Sequence, residues 1–166
     1  MEFKKIQLNG FKSFAERTNF LIEDGLTGIV GPNGCGKSNI VESLRWVMGE
    51  TSAKSMRGSG MEDVIFSGTS NKASKNIAEV SIEVENKEKE GPIQYRELEN
   101  IQVRRKIEKD KGSKFYINDK EVRARDAQMF FADLSTGAHS PSMISQGRIG
   151  ALVTAKPTDR LSLIHI

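Results

Sequence analysis

Hydrophobic and polar positions change period several times along the chain. The opening FKKIQL alternates imperfectly, with Phe3 and Lys5 set against Ile6 and Leu8, and TNFLIED and GLTGIVG follow as short apolar runs between turn residues. All three read as strands, the last buried on both faces because its apolar run is nearly continuous. After Lys37, Ile40, Val41, Leu44, Val47 and Met48 recur at steps of three and four. That spacing predicts a helix with Gly49 as its C-terminal stop. From Ala78 the alternation is clean, with Ala78, Val80, Ile82 and Val84 apolar and Glu79, Ser81, Glu83 and Glu85 polar, which predicts a half-buried strand. NIQVRRKI and KFYIND predict two more, with Ile101, Val103, Phe115 and Ile117 on one side, and NDK at Asn118 to Lys120 predicts a tight turn into EVRA. Their pairing is expected to be antiparallel. DAQMFFADL predicts a helix with Asp126 as N-cap and Met129, Phe130 and Leu134 inward. A strand-rich middle between an N-terminal unit and a second helix implies a mixed α/β domain with an antiparallel arm.

Between the third predicted strand and the first predicted helix stands GPNGCGKS, Gly31 to Ser38, which meets the pattern G-x-x-x-x-G-K-[ST] at Gly31, Gly36, Lys37 and Ser38. Each residue type has a physical task in holding a triphosphate. Glycines let the backbone turn its N–H groups toward phosphate oxygens, Lys37 reaches the β and γ oxygens, and the Ser38 hydroxyl ligates Mg²⁺. The helix from Lys37 adds the positive end of its dipole beneath the anion. Cys35 sits at a position the pattern leaves open, as a small spacer residue; a thiol near a helix N-terminus can have a lowered pKa.

Composition narrows the class without deciding it. The chain has 166 residues, 37% hydrophobic and 28% charged, a size expected for one domain with a real core. No run approaches the roughly 18 apolar residues needed to span a bilayer, and the first residues lack a secretory pattern. A cytoplasmic location without membrane contact is expected, and the single cysteine agrees with a reducing compartment. Net charge is +3, too mild to identify a nucleic-acid binder. Its distribution is uneven: Ile101 to Arg125 holds nine Lys/Arg against four Asp/Glu, and Glu83 to Glu99 holds six Glu against three Lys/Arg. The basic stretch is either a solvated strand face or a DNA-contacting one.

Five segments in order resemble the N-terminal head lobe of structural maintenance of chromosomes (SMC) proteins, especially the bacterial form. They are NGFKSF (Asn9 to Phe14), GPNGCGKSNIVESLRWVMGE (Gly31 to Glu50), MRGSGMEDVIFSGT (Met56 to Thr69), YIND (Tyr116 to Asp119) and ISQGRI (Ile144 to Ile149). The resemblance implies a P-loop NTPase fold, the N-terminal lobe of an ABC-type ATPase head with an antiparallel β arm, over residues 1–160. It implies ATP and Mg²⁺ as cofactors, held by Gly31, Pro32, Asn33, Gly34, Cys35, Gly36, Lys37, Ser38 and Asn39. Gln146 corresponds to the glutamine that meets the metal and the attacking water, and a side-chain amide suits both tasks. Arg57 corresponds to an arginine implicated in ATPase stimulation and DNA sensing. Lys12 and Ser13 match positions near the phosphates, and Asp63, Val64 and Ile65 positions near the adenine. Arg104, Arg105 and Lys106 would lie on the arm, where lysine and arginine bind DNA phosphates without reading sequence. The implied partners are double-stranded DNA, the protein's own C-terminal head lobe, a second SMC head in a homodimer, and kleisin-type accessory subunits, and the implied location is nucleoid-associated.

Two parts of such an ATPase do not occur in the chain. There is no Ser-Gly-Gly signature and no run of four apolar residues ending in Asp-Glu; in MEDVIF the acids stand on the wrong side. In SMC proteins those parts lie in a C-terminal lobe beyond a long coiled coil and a hinge, so the chain reads as half of a head, with turnover expected only in the full-length protein. The closing LSLIHI, residues 161–166, reads as a non-native tail of the kind an adapter end translates to. His139 lacks the neighbouring ligands a metal site needs. The alternatives are a DNA-repair ATPase of the RecN or RecF type and a non-catalytic nucleotide-binding fragment.

Overall fold

The computed structural model describes residues 1–89 and 91–133. The clean alternation after residue 77 becomes strand β3 at the centre of the architecture. The elements run β1 (Glu2–Asn9), β2 (Thr18–Leu21), α1 (Lys37–Val47), β3 (Ile77–Glu85), β4 (Asn100–Glu108), β5 (Gly112–Ile117), β6 (Lys120–Val122) and α2 (Ala124–Asp133), with single 3-10 turns at Lys54–Met56 and Met61–Val64. The strands form one sheet in the order β2-β1-β3-β4-β5-β6. Every neighbouring pair is antiparallel.

One face of this sheet carries the core. Ile6, Leu8, Val80, Ile82, Ile101, Val103, Ile107 and Ile117 are all buried, and α1 lays Ile40, Trp46 and Val47 against the same cluster. Helix α1 packs across β3 and β4, and α2 packs against β5 with Phe130 and Phe131 buried. The imperfect period of FKKIQL has a structural cause: the β1–β3 register shifts between Phe3 and Lys5, a bulge that puts Ile6 opposite Ile82. Where the chain leaves β1, Gly10 adopts φ 63°, and a Cβ there would lie 2.2 Å from the Ile77 carbonyl oxygen, so only glycine fits the crossing. The NDK turn is a two-residue hairpin, Ile117 pairing with Lys120, with Asn118 and Asp119 at φ 46° and 63° as a type I′ turn requires.

Three expectations are corrected. GLTGIVG is not a strand; Leu26 and Val30 are 101% and 93% exposed and Ile29 is 46% exposed. A strand exists through its ladder, and among the described residues no segment pairs with this one. Helix α2 begins at Ala124 rather than after Asp126; Asp126 lies in its first turn and accepts the Arg123 backbone N–H at 3.2 Å. Its inward face is Ala127, Phe130 and Phe131, whereas Met129 is exposed; Leu134 lies outside the described residues. On α1 the inward face is rotated from the expected set: Val41 is exposed, and Glu42, Ser43 and Trp46 are buried beside Ile40 and Val47.

Candidate functional site

The stretch before residue 31 delivers the chain to a turn that opens directly into α1. Gly34 and Gly36 have φ of 83° and 97°, so both stand in the left-handed region that favours glycine. Gly36 is the N-cap residue of α1, and a Cβ there would lie 2.6 Å from Ser13 Oγ and 3.3 Å from the Phe14 ring. Helix α1 therefore starts without a side-chain cap, and its first turn contains no acidic residue. Its first backbone N–H groups and dipole are left to an anion rather than to a side chain.

Lys37 bends back over the loop. Its Nζ donates to the carbonyl oxygens of Gly31 at 2.5 Å and Pro32 at 2.6 Å, with the Cys35 sulfur at 3.8 Å. Ser38 follows in the first turn of α1, where its hydroxyl is a hard oxygen donor suited to Mg²⁺. Cys35 is an exposed free thiol.

Three separate segments converge beside this helix start. Asn39 Nδ2 donates to Ser13 Oγ at 2.8 Å, and Arg57 Nη2 donates to Asn39 Oδ1 at 3.0 Å. Arg57 Nε pairs with Glu42 Oε1. Lys12 Nζ meets the other oxygen of Glu42 at 2.5 Å and also donates to the Met56 carbonyl. Lys12 and Arg57 both have left-handed backbones, φ 46° and 54°. Sequence reasoning named Lys12, Ser13, Asn39 and Arg57, and the fold brings them together. It missed Glu42, which is 7% exposed on α1; a glutamate in a helix usually faces water, and only its place on the inward face could have marked it.

Of the positions placed near the adenine, Val64 and Ile65 are buried in the core. Asp63 is the exposed one of the three. Its carboxylate accepts the Gly60 N–H at 2.9 Å, the Ser59 hydroxyl at 2.8 Å and the Ser59 N–H at 2.6 Å. These hydrogen bonds, that from Gly60 foremost, hold its carboxyl below the usual aspartate range. Gln146 and His139 lie outside the described residues.

The basic arm divides by strand alternation. Arg104 and Lys106 are half-buried on the polar face of β4, whereas Arg105 points into the core at 3% exposure. Arg105 Nη1 donates to the carbonyls of Trp46 and Glu50 at 2.8 and 2.7 Å, and its guanidinium lies 4.6 Å from the centroids of both Trp46 and Phe115. Arg105 is therefore corrected from a DNA contact to an internal pin. The basic stretch finds its counter-ions on β3 and within itself: Arg104 pairs with Glu79 at 3.2 Å and with Asp119 at 2.9 Å, and Lys114 with Glu121 at 3.0 Å.

Elsewhere, a cavity of about 730 Å³ lies between β5, β6 and the start of α2, with Arg105 and Phe115 in its wall, and no phosphate-loop residue lines it. Among the described residues no cluster of His, Cys, Asp and Glu could hold a metal by itself, and no helix is long and apolar enough to cross a membrane.

With this geometry in view, comparison with known proteins is specific. The family model described as "RecF/RecN/SMC N terminal domain" matches residues 2–148. The chain is 51% identical over 165 residues to the chromosome partition protein Smc of Cereibacter sphaeroides, covering 99% of this chain and 14% of that protein. A structure solved in work on ATP-driven dimerization and DNA-stimulated activation of SMC ATPases superposes with a TM-score of 0.88 at 29% identity, covering 99% of this chain and 98% of the other. A structure of an Smc head bound to the C-winged helix domain of ScpA superposes at 0.90 with 30% identity, covering 99% of this chain and 50% of that one.

Proposed function

Because this chain belongs to the RecF/RecN/SMC N-terminal domain family, we propose that it is the ATP-binding lobe of an SMC-type ATPase that acts in chromosome partition. The observation that carries the reading is the glycine loop that opens into a helix with no side-chain cap, with Lys37 arched over its carbonyls. Backbone N–H groups of residues 31–39, the α1 dipole and Lys37 are the natural ligands of a triphosphate. Ser38 and Gln146 are the oxygen donors for Mg²⁺, which when bound neutralises phosphate charge and positions water. Exposed Arg57 faces the same place from the side.

The chain spans 14% of the length of the Cereibacter sphaeroides protein, and hydrolysis needs an acid and a signature loop that its sequence lacks. Turnover therefore belongs to a complete head, in which a C-terminal lobe and a second head close over the nucleotide. The similar structures described with ATP-driven dimerization and with ScpA support a second head and a kleisin as partners. Double-stranded DNA, contacted without sequence readout, is the proposed substrate of the assembled machine. These relatives are SMC proteins, which does not favour a repair ATPase of the RecN or RecF type.

The test is titration of the chain with a fluorescent ATP analogue and Mg²⁺. Binding is expected, and Lys37→Ala should abolish it, while hydrolysis by the chain alone stays at background. Steady hydrolysis that Lys37→Ala removes would overturn the split-site reading, and binding indifferent to Lys37→Ala would overturn the site itself.

A further inference from the structure

The buried carboxylate of Glu42 is the part of this region that no motif explains. It lies under the loop on α1 at 7% exposure, and each of its oxygens meets one cation, Lys12 at Oε2 and Arg57 at Oε1. The two cations differ in accessibility. The Lys12 side chain is 13% exposed and its ammonium is directed at Glu42 and the Met56 carbonyl, whereas the Arg57 side chain is 59% exposed. Arg57 gives its Nε to Glu42 and one Nη2 donor to Asn39. A guanidinium has five N–H donors, so three are left for a ligand beside the helix start.

From this geometry we infer that Glu42 is a positioning residue for nucleotide: held by Lys12 below, it fixes the guanidinium of Arg57 beside the phosphate loop. Lys12, by the same geometry, acts through Glu42 instead of touching phosphate. The physical case is one of preorganisation. Arg57 stands on a turn with a left-handed backbone, and a long side chain there has several rotamers to lose on binding. A buried carboxylate on Nε and an amide oxygen on Nη2 settle that loss in advance and leave the planar fork aimed. Desolvation of Glu42 is tolerated because two cations share it; removal of either would leave charge exposed to a poor dielectric.

The inference rests on the nucleotide reading above, and the experiment separates the two. ATP and AMP affinities are measured for the whole chain as wild type, Glu42→Gln, Arg57→Ala and the double variant, with thermal unfolding of each as a check on folding and Lys37→Ala as the reference for site-specific binding. Glu42→Gln keeps shape and removes charge. It is expected to weaken ATP binding roughly tenfold, to leave AMP binding within about twofold, and to have no further effect in the Arg57→Ala background. Equal losses with and without Arg57 would show a merely structural glutamate and overturn the inference, as would an unchanged ATP affinity in a folded Glu42→Gln variant. Should Glu42→Gln not fold, the same cycle with Glu42→Asp, which keeps the charge and shortens the reach, supports or overturns the inference by the same outcomes. Wild-type binding that Lys37→Ala does not touch overturns the nucleotide reading, and this inference with it.

Discussion

Arg105 donates to the carbonyl oxygen of Trp46 at 2.8 Å while its guanidinium lies 4.6 Å from the centroid of the Trp46 ring. The same Nη1 reaches the Glu50 carbonyl, so a residue of β4 ties down the chain where it leaves the phosphate-loop helix, adding to the Gly49 N–H that the Trp46 carbonyl also accepts at 3.1 Å. Burial pushes the Arg105 pKa down to about 10, which leaves it cationic at neutral pH. Since the unfolded state then binds more protons only above about pH 10, this group makes stability flat with pH below that point and rising above it. Replacement by Leu removes two hydrogen bonds and both ring contacts of the guanidinium and should cost about 3 kcal/mol in urea unfolding, whereas Lys, without the fork, should recover only part of that.

Gly36 is the tightest position of the loop. Its φ is 97°, and a methyl group there would stand 2.6 Å from Ser13 Oγ, which leaves no room for alanine. Gly36→Ala should lower stability by about 1–2 kcal/mol in urea unfolding. It should also abolish binding of the fluorescent ATP analogue, because the N-terminus of α1 has to shift. Retained nucleotide affinity would mean that the loop does not use this backbone geometry.

Asp63 supplies a pH dependence at the acid end. Hydrogen bonds from Gly60 and Ser59 lower its pKa in the folded chain. Its contribution is thus complete above the ordinary aspartate pKa and is lost as pH falls through the lowered value. Asp63→Asn should lower stability in the neutral region, change it least at the acid end where Asp63 is already protonated, and so flatten the acid limb of a stability-against-pH curve. An NMR titration placing Asp63 at the ordinary aspartate value would contradict this.

The arm offers a test of DNA contact that the burial of Arg105 sharpens. Arg104→Glu with Lys106→Glu should weaken filter binding of duplex DNA regardless of sequence, and reduce the slope of log affinity against log salt by up to about 2. A folded Arg105→Lys variant should leave that slope unchanged, since the side chain is enclosed. Equal effects from both variants would remove the surface distinction.

Much was legible because short-range physics writes it locally. The glycine loop, the helix after Lys37 with its stop at Gly49, the strand after residue 77 and the Asn118–Asp119 hairpin each depend on residues within one element, so spacing and turn chemistry suffice. The family resemblance was legible too, from five segments in order. Tertiary structure alone decided the rest. Alternation along β4 sets Arg105 on the side of Ile101, Val103 and Ile107, but only the fold supplies the two carbonyls and two rings that let a guanidinium stay there. Sequence could not show that β3 and β4 would be neighbours and let Glu79 reach diagonally across the ladder to Arg104. GLTGIVG has the composition of a buried strand, yet a strand is a relation between segments, and among the described residues this one has no neighbour to pair with. Glu42 is the same lesson at the site: nothing near it in sequence differs from a solvated helix glutamate, and its role arises only where residues 12, 42 and 57 meet.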